Sequence, residues 1–218
     1  MASAVMLWVF VRGIARKPWR ALGLGSWSQG RRELWRGVLL GGMAGLGVGA
    51  VYLLTGICRI DVNPDTVKVV RTLTTFVPGA LLVAVLEELV FRGYVLQQLL
   101  ACSRVLAVVG SSAAYALVHL KPDPVWPGTA LELVGLFILG CVLVFAALRT
   151  RQLYLPIGLH ASLAYLARTN KLLIEFPDAP LAWLVGTSRL VNGVIPWLAL
   201  VGLGWAVSRG GEGVSARR

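Results

Sequence analysis

Val85-Leu86-Glu87-Glu88-Leu89-Val90-Phe91-Arg92-Gly93 places two carboxylates and a guanidinium inside an apolar run that begins near Thr72. An ionisable side chain at bilayer depth costs at least about 2.5–3.5 kcal/mol on insertion scales, so three together mark a functional site. On a helix, Glu88 and Arg92 are four residues apart and can pair, whereas Glu87 is turned about 100° away and stays free for another partner. The plain alternative is an ion pair that only fixes helix packing, but a single Glu would suffice for it.

The composition around this stretch is that of a membrane protein. The 218-residue chain is 57% hydrophobic and 14% charged, with a positive mean hydropathy, against roughly 25% charged residues in a soluble domain. About six spans of roughly 20 residues fill such a length. The expected fold is therefore an all-α, polytopic transmembrane helix bundle of about six spans, with no second soluble domain.

The spans read as Leu34–Ile57, Thr72–Phe91, Val105–Leu120, Thr129–Leu148, Gln152–Ala167 and a long Leu181–Val207 segment. Gly186-Thr187-Ser188-Arg189 and Asn192-Gly193 interrupt the last, which suggests a short extra re-entrant helix before the final crossing. Met1 to Val11 are too short to span and precede, rather than follow, basic residues, so they read as an interfacial piece or the stub of a longer span and not as a cleavable signal. Residues 1–33 form a basic cytoplasmic or interfacial segment, 34–207 the membrane-embedded helical domain, and 208–218 a cytoplasmic tail.

The net charge of +11 does not indicate nucleic acid, because no aromatic-rich basic motif accompanies it. Arg12, Arg16, Lys17, Arg20, Arg31, Arg32 and Arg36 crowd the segment before the first long apolar run. Of the 21 Lys and Arg, 14 fall on that side of the six-span topology and 7 on the other, which makes that side, with both termini, cytoplasmic. Attraction to anionic lipid is a secondary effect of the same charge. Cys58, Cys102 and Cys141 lack CxxC spacing and read as small buried apolar residues rather than a disulfide or zinc framework.

Two further spans carry polar side chains. Ser111, Ser112, Tyr115 and His119 lie in one, with Tyr115 and His119 on a shared face. A lone His between apolar residues is more often a satisfied core residue than a catalyst. Here, however, a helical hairpin that turns near Ser103 brings Glu87 and His119 to equal height, since each is sixteen residues from the turn. A carboxylate beside an imidazole in a low dielectric is equipment for activating water. His160, in Tyr154-Leu155-Pro156-Ile157-Gly158-Leu159-His160, is the other of the two histidines. It lies nearer its own turn, roughly 15 Å against roughly 24 Å for Glu87. It can reach the same level only if the hairpin around Gln97 and Gln98 projects further.

Glu87-Glu88-x-x-x-Arg92-Gly93, Tyr115-x-x-x-His119 and Pro156-Ile157-Gly158-Leu159-His160, in this order, resemble the three motifs of the CAAX-protease and bacteriocin-processing (CPBP) family of intramembrane glutamic endopeptidases. The resemblance covers about Leu73 to Ala167. It implies that Glu87 is the general base toward water, that His119 holds and polarises that water, that Glu88, Arg92 and Tyr115 support the pair, and that His160 stabilises the oxyanion. It implies no cofactor, a membrane-anchored peptide or protein as substrate, and a place in the lipid bilayer, with a bacterial inner membrane expected. The family ordinarily has an aromatic residue, most often Phe, at the position of Tyr115. Its third motif usually continues to Asn or Asp four residues after the His, where this chain has Ala164. Ser162, Asn170 or Asn192 would then have to supply the donor.

Two alternatives stand beside the glutamic endopeptidase. One is a zinc site built from His119, His160 and a Glu, although the His-Glu-x-x-His signature is absent. The other is a non-catalytic membrane scaffold or peptide-binding protein, for which Ala164 speaks. A transporter is disfavoured by the lack of internal repeats.

Overall fold

The computed structural model describes residue 13 and residues 18–62, 65–176, 182–185 and 190–209. The Met1–Val11 segment, the Gly186–Arg189 interruption and the basic end of the tail lie outside the described residues. Six long helices run in order: α1 (Trp27–Leu54), α2 (Thr66–Leu100), α3 (Arg104–Leu117), α4 (Gly128–Thr150), α5 (Tyr154–Leu173) and α6 (Val194–Arg209). A single 3-10 turn, Trp19–Leu22, precedes α1, and one helical turn, Ala182–Val185, precedes α6. The all-helical architecture agrees with the sequence reading, and the short turn before α6 falls inside the expected interrupted segment.

Length and composition qualify three of these helices to cross a membrane: the Trp19–Leu54 stretch containing α1, α2, and α4. α3 and α6 are apolar but have 14 and 16 residues, about 21 and 24 Å at 1.5 Å per residue, short of a ~30 Å hydrocarbon core. α5 has 20 residues but spends them on His160, Arg168, Asn170 and Lys171. Three helices among the described residues thus meet the length and hydropathy requirement, and the count of about six crossings stays an expectation from sequence. α1 starts at Trp27, seven residues before Leu34, and so extends into the basic segment.

Local signals set the helix ends. The Asp65 carboxylate accepts from the Lys68 N–H at the start of α2, and the Ser103 hydroxyl accepts from Leu106 N–H at the start of α3, each satisfying a donor that the first turn leaves free. Gly23, at φ +88°, turns the chain so that its carbonyl accepts from Leu153 N–H at 2.9 Å, while the Tyr154 hydroxyl donates to Gly25 O at 2.9 Å. The start of α5 is thereby tied to the chain preceding α1.

α5 is the central helix. α1 packs along it through a row of glycines: an added Cβ at Gly37 would stand 2.3 Å from Leu155 O, one at Gly41 2.3 Å from Ser162 Oγ, and one at Gly158 2.1 Å from Leu34 O. Small residues at every fourth position let two helix backbones approach at membrane depth. α2 lies on α5 beside α1, α3 on α4, and α6 on α4 and α1. Two residue pairs, Arg59↔Glu175 and Ile60↔Ile174, form a short antiparallel ladder between β1 (Arg59–Ile60) and β2 (Ile174–Glu175). It clips the α1–α2 connection to the end of α5, reinforced by an ion pair between Arg59 and Glu175. Of the three cysteines, Cys58 is buried as expected, with its thiol pKa pushed up by burial. Cys102 is exposed, contrary to expectation, because it sits in the α2–α3 turn.

Candidate active site

α2 changes winding within the Glu87–Gly93 stretch. Its α-helical part ends at Glu88, Leu89–Val95 form a π-helical stretch, and α-winding resumes at Leu96. Such stretches widen the helix and leave backbone groups to be satisfied otherwise, often at functional sites. Here the Ser111 hydroxyl donates to Phe91 O at 3.0 Å and the Gln97 amide to Arg92 O at 3.3 Å.

Glu88 and Arg92 are both 0% exposed and pair at 2.9 Å between Glu88 Oε1 and Arg92 Nη1. The guanidinium also donates from Nη2 to Gly140 O at 3.1 Å and lies 4.6 Å from the centre of the Tyr115 ring. Gly140 carries its carbonyl inward because α4 closely approaches α3 at that point, where an added Cβ would meet Ser112 at 2.9 Å. The same Glu88 Oε1 accepts from His160 Nδ1 at 2.9 Å. The expected pair is formed, and His160 joins it.

The neighbouring Glu87 has a different environment. Its Oε2 lies 3.6 Å from His160 Nε2 and 3.8 Å from His119 Nε2, with no hydrogen-bond partner among the described residues. His119 follows the last residues of α3, and its Nδ1 donates to Tyr115 O at 2.8 Å, capping a carbonyl that the helix end leaves unpaired. A carbonyl and a carboxylate can only accept, so each imidazole carries its hydrogen on Nδ1 and turns Nε2 toward Glu87. Separations of 3.6 and 3.8 Å exceed direct hydrogen-bond length and suit a bridging water between the groups. The Tyr115 ring completes the arrangement, 4.9 Å from the His119 ring, 5.8 Å from the His160 ring and 5.4 Å from Phe91.

These groups lie at a cavity of about 380 Å³, to which Glu87, Tyr115, His119, His160 and Ala164 all contribute. Leu136, Leu139 and Leu163 supply apolar wall; Glu132, Arg168 and Lys171 supply charge. Among the described residues, no group of three or more His, Cys, Asp or Glu side chains is arranged to hold a metal ion.

The height match between Glu87 and His119 is therefore met, and so is the convergence of His160. Arg151 and Gln152, at the α4–α5 turn, border the same small cavity as Gln97 and Leu100. The α4–α5 turn therefore lies beside the last turn of α2. The three residues named as substitute donors do not line the Glu87 cavity. Ser162 donates to Leu159 O at 3.0 Å and faces α1. Asn192 is buried next to Leu190 and Val191, which do line it, and Asn170 is half-buried near the end of α5. Glu132, Arg168 and Lys171 were not singled out from sequence. Their signal was present: Arg168 and Lys171 lie eight and eleven residues after His160, a helical spacing that ending the span at Ala167 concealed.

Comparison with known proteins supports the resemblance carried by the motifs. Residues 69–166 match the model of the family described as Type II CAAX prenyl endopeptidase Rce1-like. The match contains all three motifs and most of the helices that build the cavity. No curated protein and no solved structure matches the chain.

Proposed function

Because residues 69–166 match the model of the Rce1-like CAAX endopeptidase family, we propose that this chain is a metal-independent glutamic intramembrane endopeptidase. The observation that carries the reading is the convergence of Glu87 Oε2, His119 Nε2 and His160 Nε2 at one cavity. Glu87 takes a proton from a water held between it and His119, and the water oxygen adds to the scissile carbonyl. His160, held by Glu88 through its Nδ1–H and acting as the imidazolium with a second proton on Nε2, stabilises the oxyanion. The C–N bond then breaks, and the proton held by Glu87 passes to the leaving amine. The substrate is a membrane-anchored or amphipathic peptide or protein, of CAAX, bacteriocin or C-terminal sorting-signal type. Both termini face the cytoplasm, in a bacterial inner membrane.

C-terminal peptides compared between cells with the protein, without it, and with Glu87→Gln test this. Glu87→Gln keeps the shape of the side chain but cannot take the proton, so peptides produced by the wild type should be missing from both other samples while folded yield is unchanged. Normal turnover by Glu87→Gln would end the glutamic reading. Loss of activity under a tight chelator and its return with zinc would favour the His119/His160 zinc alternative.

A second reading, a non-catalytic peptide-binding scaffold, is favoured by the methyl group that Ala164 presents to the cavity where the family's usual third motif has a polar side chain. A folded wild type that binds membrane peptides and cleaves none would support it.

A further inference from the structure

α1 and α2 both lie on α5 but scarcely touch each other, which leaves an apolar cleft of about 500 Å³ between them. Ser162 and Leu166 of α5 help form its floor, and Val38, Leu46, Val77 and Leu81 its walls. Its hydroxyl groups are already used: Ser162 donates to Leu159 O and Tyr165 to Leu73 O, each at 3.0 Å. A cleft without an unpaired hydroxyl suits an alkyl chain.

One end of the cleft is basic. Trp35, 62% exposed, borders both the cleft and a second groove formed with Arg31, Arg32 and Arg36. Tryptophan is enriched at the headgroup level, and basic side chains there attract anionic lipid. Eleven residues of α1 separate Trp35 from Leu46, about 16 Å of helix, close to half of a ~30 Å hydrocarbon core. The groove and cleft together therefore have the length of one lipid leaflet, charged at one end and apolar along the rest.

We propose that they form a binding site for one anionic phospholipid, with its headgroup on Arg31 and Arg32, Trp35 at the headgroup boundary, and one acyl chain in the cleft against α5. This site is separate from the Glu87 cavity and does not depend on the chemistry assigned there. The bound chain would brace the face of α5 that carries Ser162, while His160 and Ala164 face the cavity.

The test reconstitutes the full chain in bilayers of equal parts phosphatidylglycerol and phosphatidylcholine and measures, by native mass spectrometry after extraction, which lipid stays bound. Wild type should retain phosphatidylglycerol. The Arg31→Gln/Arg32→Gln pair should lower that preference about thirtyfold, at about 1 kcal/mol for each basic residue near the surface. Arg149→Gln/Arg209→Gln, with the same charge change elsewhere, should leave it intact. Gly42→Leu adds a side chain that meets no atom within 4 Å at its first carbon and fills the cleft, so it should lose bound lipid of both kinds. Gly47→Leu, equally unobstructed and outside the cleft, should keep it. Retention of both lipids alike by wild type, equal losses in the two Arg pairs, or equal retention by Gly42→Leu and Gly47→Leu would overturn the site. Thermal melting of each variant identifies any that lose lipid by failing to fold.

Discussion

Glu87 and Glu88 are joined by one peptide bond and occupy two different environments. Glu88 is fully enclosed, with one oxygen shared by Arg92 and His160. Glu87 keeps 13% of its side chain exposed and has two imidazole nitrogens just beyond hydrogen-bond range. The difference shows how a helix separates structure from chemistry. One residue of rotation turns one carboxylate toward an ion pair that closes the bundle and the other toward a cavity where a reacting molecule fits. His160 spans both, with Nδ1 on Glu88 and Nε2 toward Glu87.

The sharpest way to break the comparison is to remove the partner of Glu88. Arg92→Ala leaves a buried carboxylate without its cation and should cost about 3–5 kcal/mol, visible as lost folded yield and a lower melting midpoint. Glu87→Gln should melt like wild type; a similar loss in both would mean that Glu87 is also structural.

Overpacking behind His160 comes next. Gly37→Leu drives a side chain into Leu155 O and should cost about 1–3 kcal/mol, while turnover falls because α5 shifts under His160. Gly47→Leu on the same helix, with open space around it, should match wild type in both melting and turnover.

Ala164→Asn sharpens the cavity side alone. Ser162 faces α1, so the added amide should serve as an oxyanion donor and raise kcat by about tenfold, a fraction of the ~10²–10³ that a full donor supplies. An unchanged kcat in a steady-state assay would show that the cavity already has its donor.

The smallest effect belongs to the β1–β2 clip. The Arg59–Glu175 ion pair is exposed on both sides, and Arg59→Gln should leave the melting midpoint unchanged within error, since water already competes for both charges.

What was legible in the sequence was what depends on local helix geometry. The Glu88–Arg92 pairing follows from an i, i+4 interval, and the common height of Glu87 and His119 follows from equal counts on either side of a turn. The arrival of His160 was not readable that way, because it depends on how closely α1 lets α5 approach and on a stretch of α2 that is not α-helical. The Gly37-x-x-x-Gly41-x-x-x-Gly45 repeat held the first of these facts in plain view. The second left no comparable sign, since nothing in Leu89-Val90-Phe91-Arg92-Gly93-Tyr94-Val95 distinguishes π-winding from α-winding. Arg59 and Glu175 are 116 positions apart, and no periodicity relates them.

The π-helical stretch from Leu89 to Val95 also gives α2 two angular phases. Upstream of it the helix is indexed to the cavity through Glu87; downstream it is indexed to the α4–α5 turn through Gln97 and Leu100. The stretch works as a vernier between these two indexings, because it takes up about one more residue than α-winding over the same rotation; a variant that wound all seven residues as α-helix would lose that adjustment. Every side chain from Leu96 onward would then be turned by about 100° relative to Glu87, and no single side chain would have to be lost for the two halves to fall out of step.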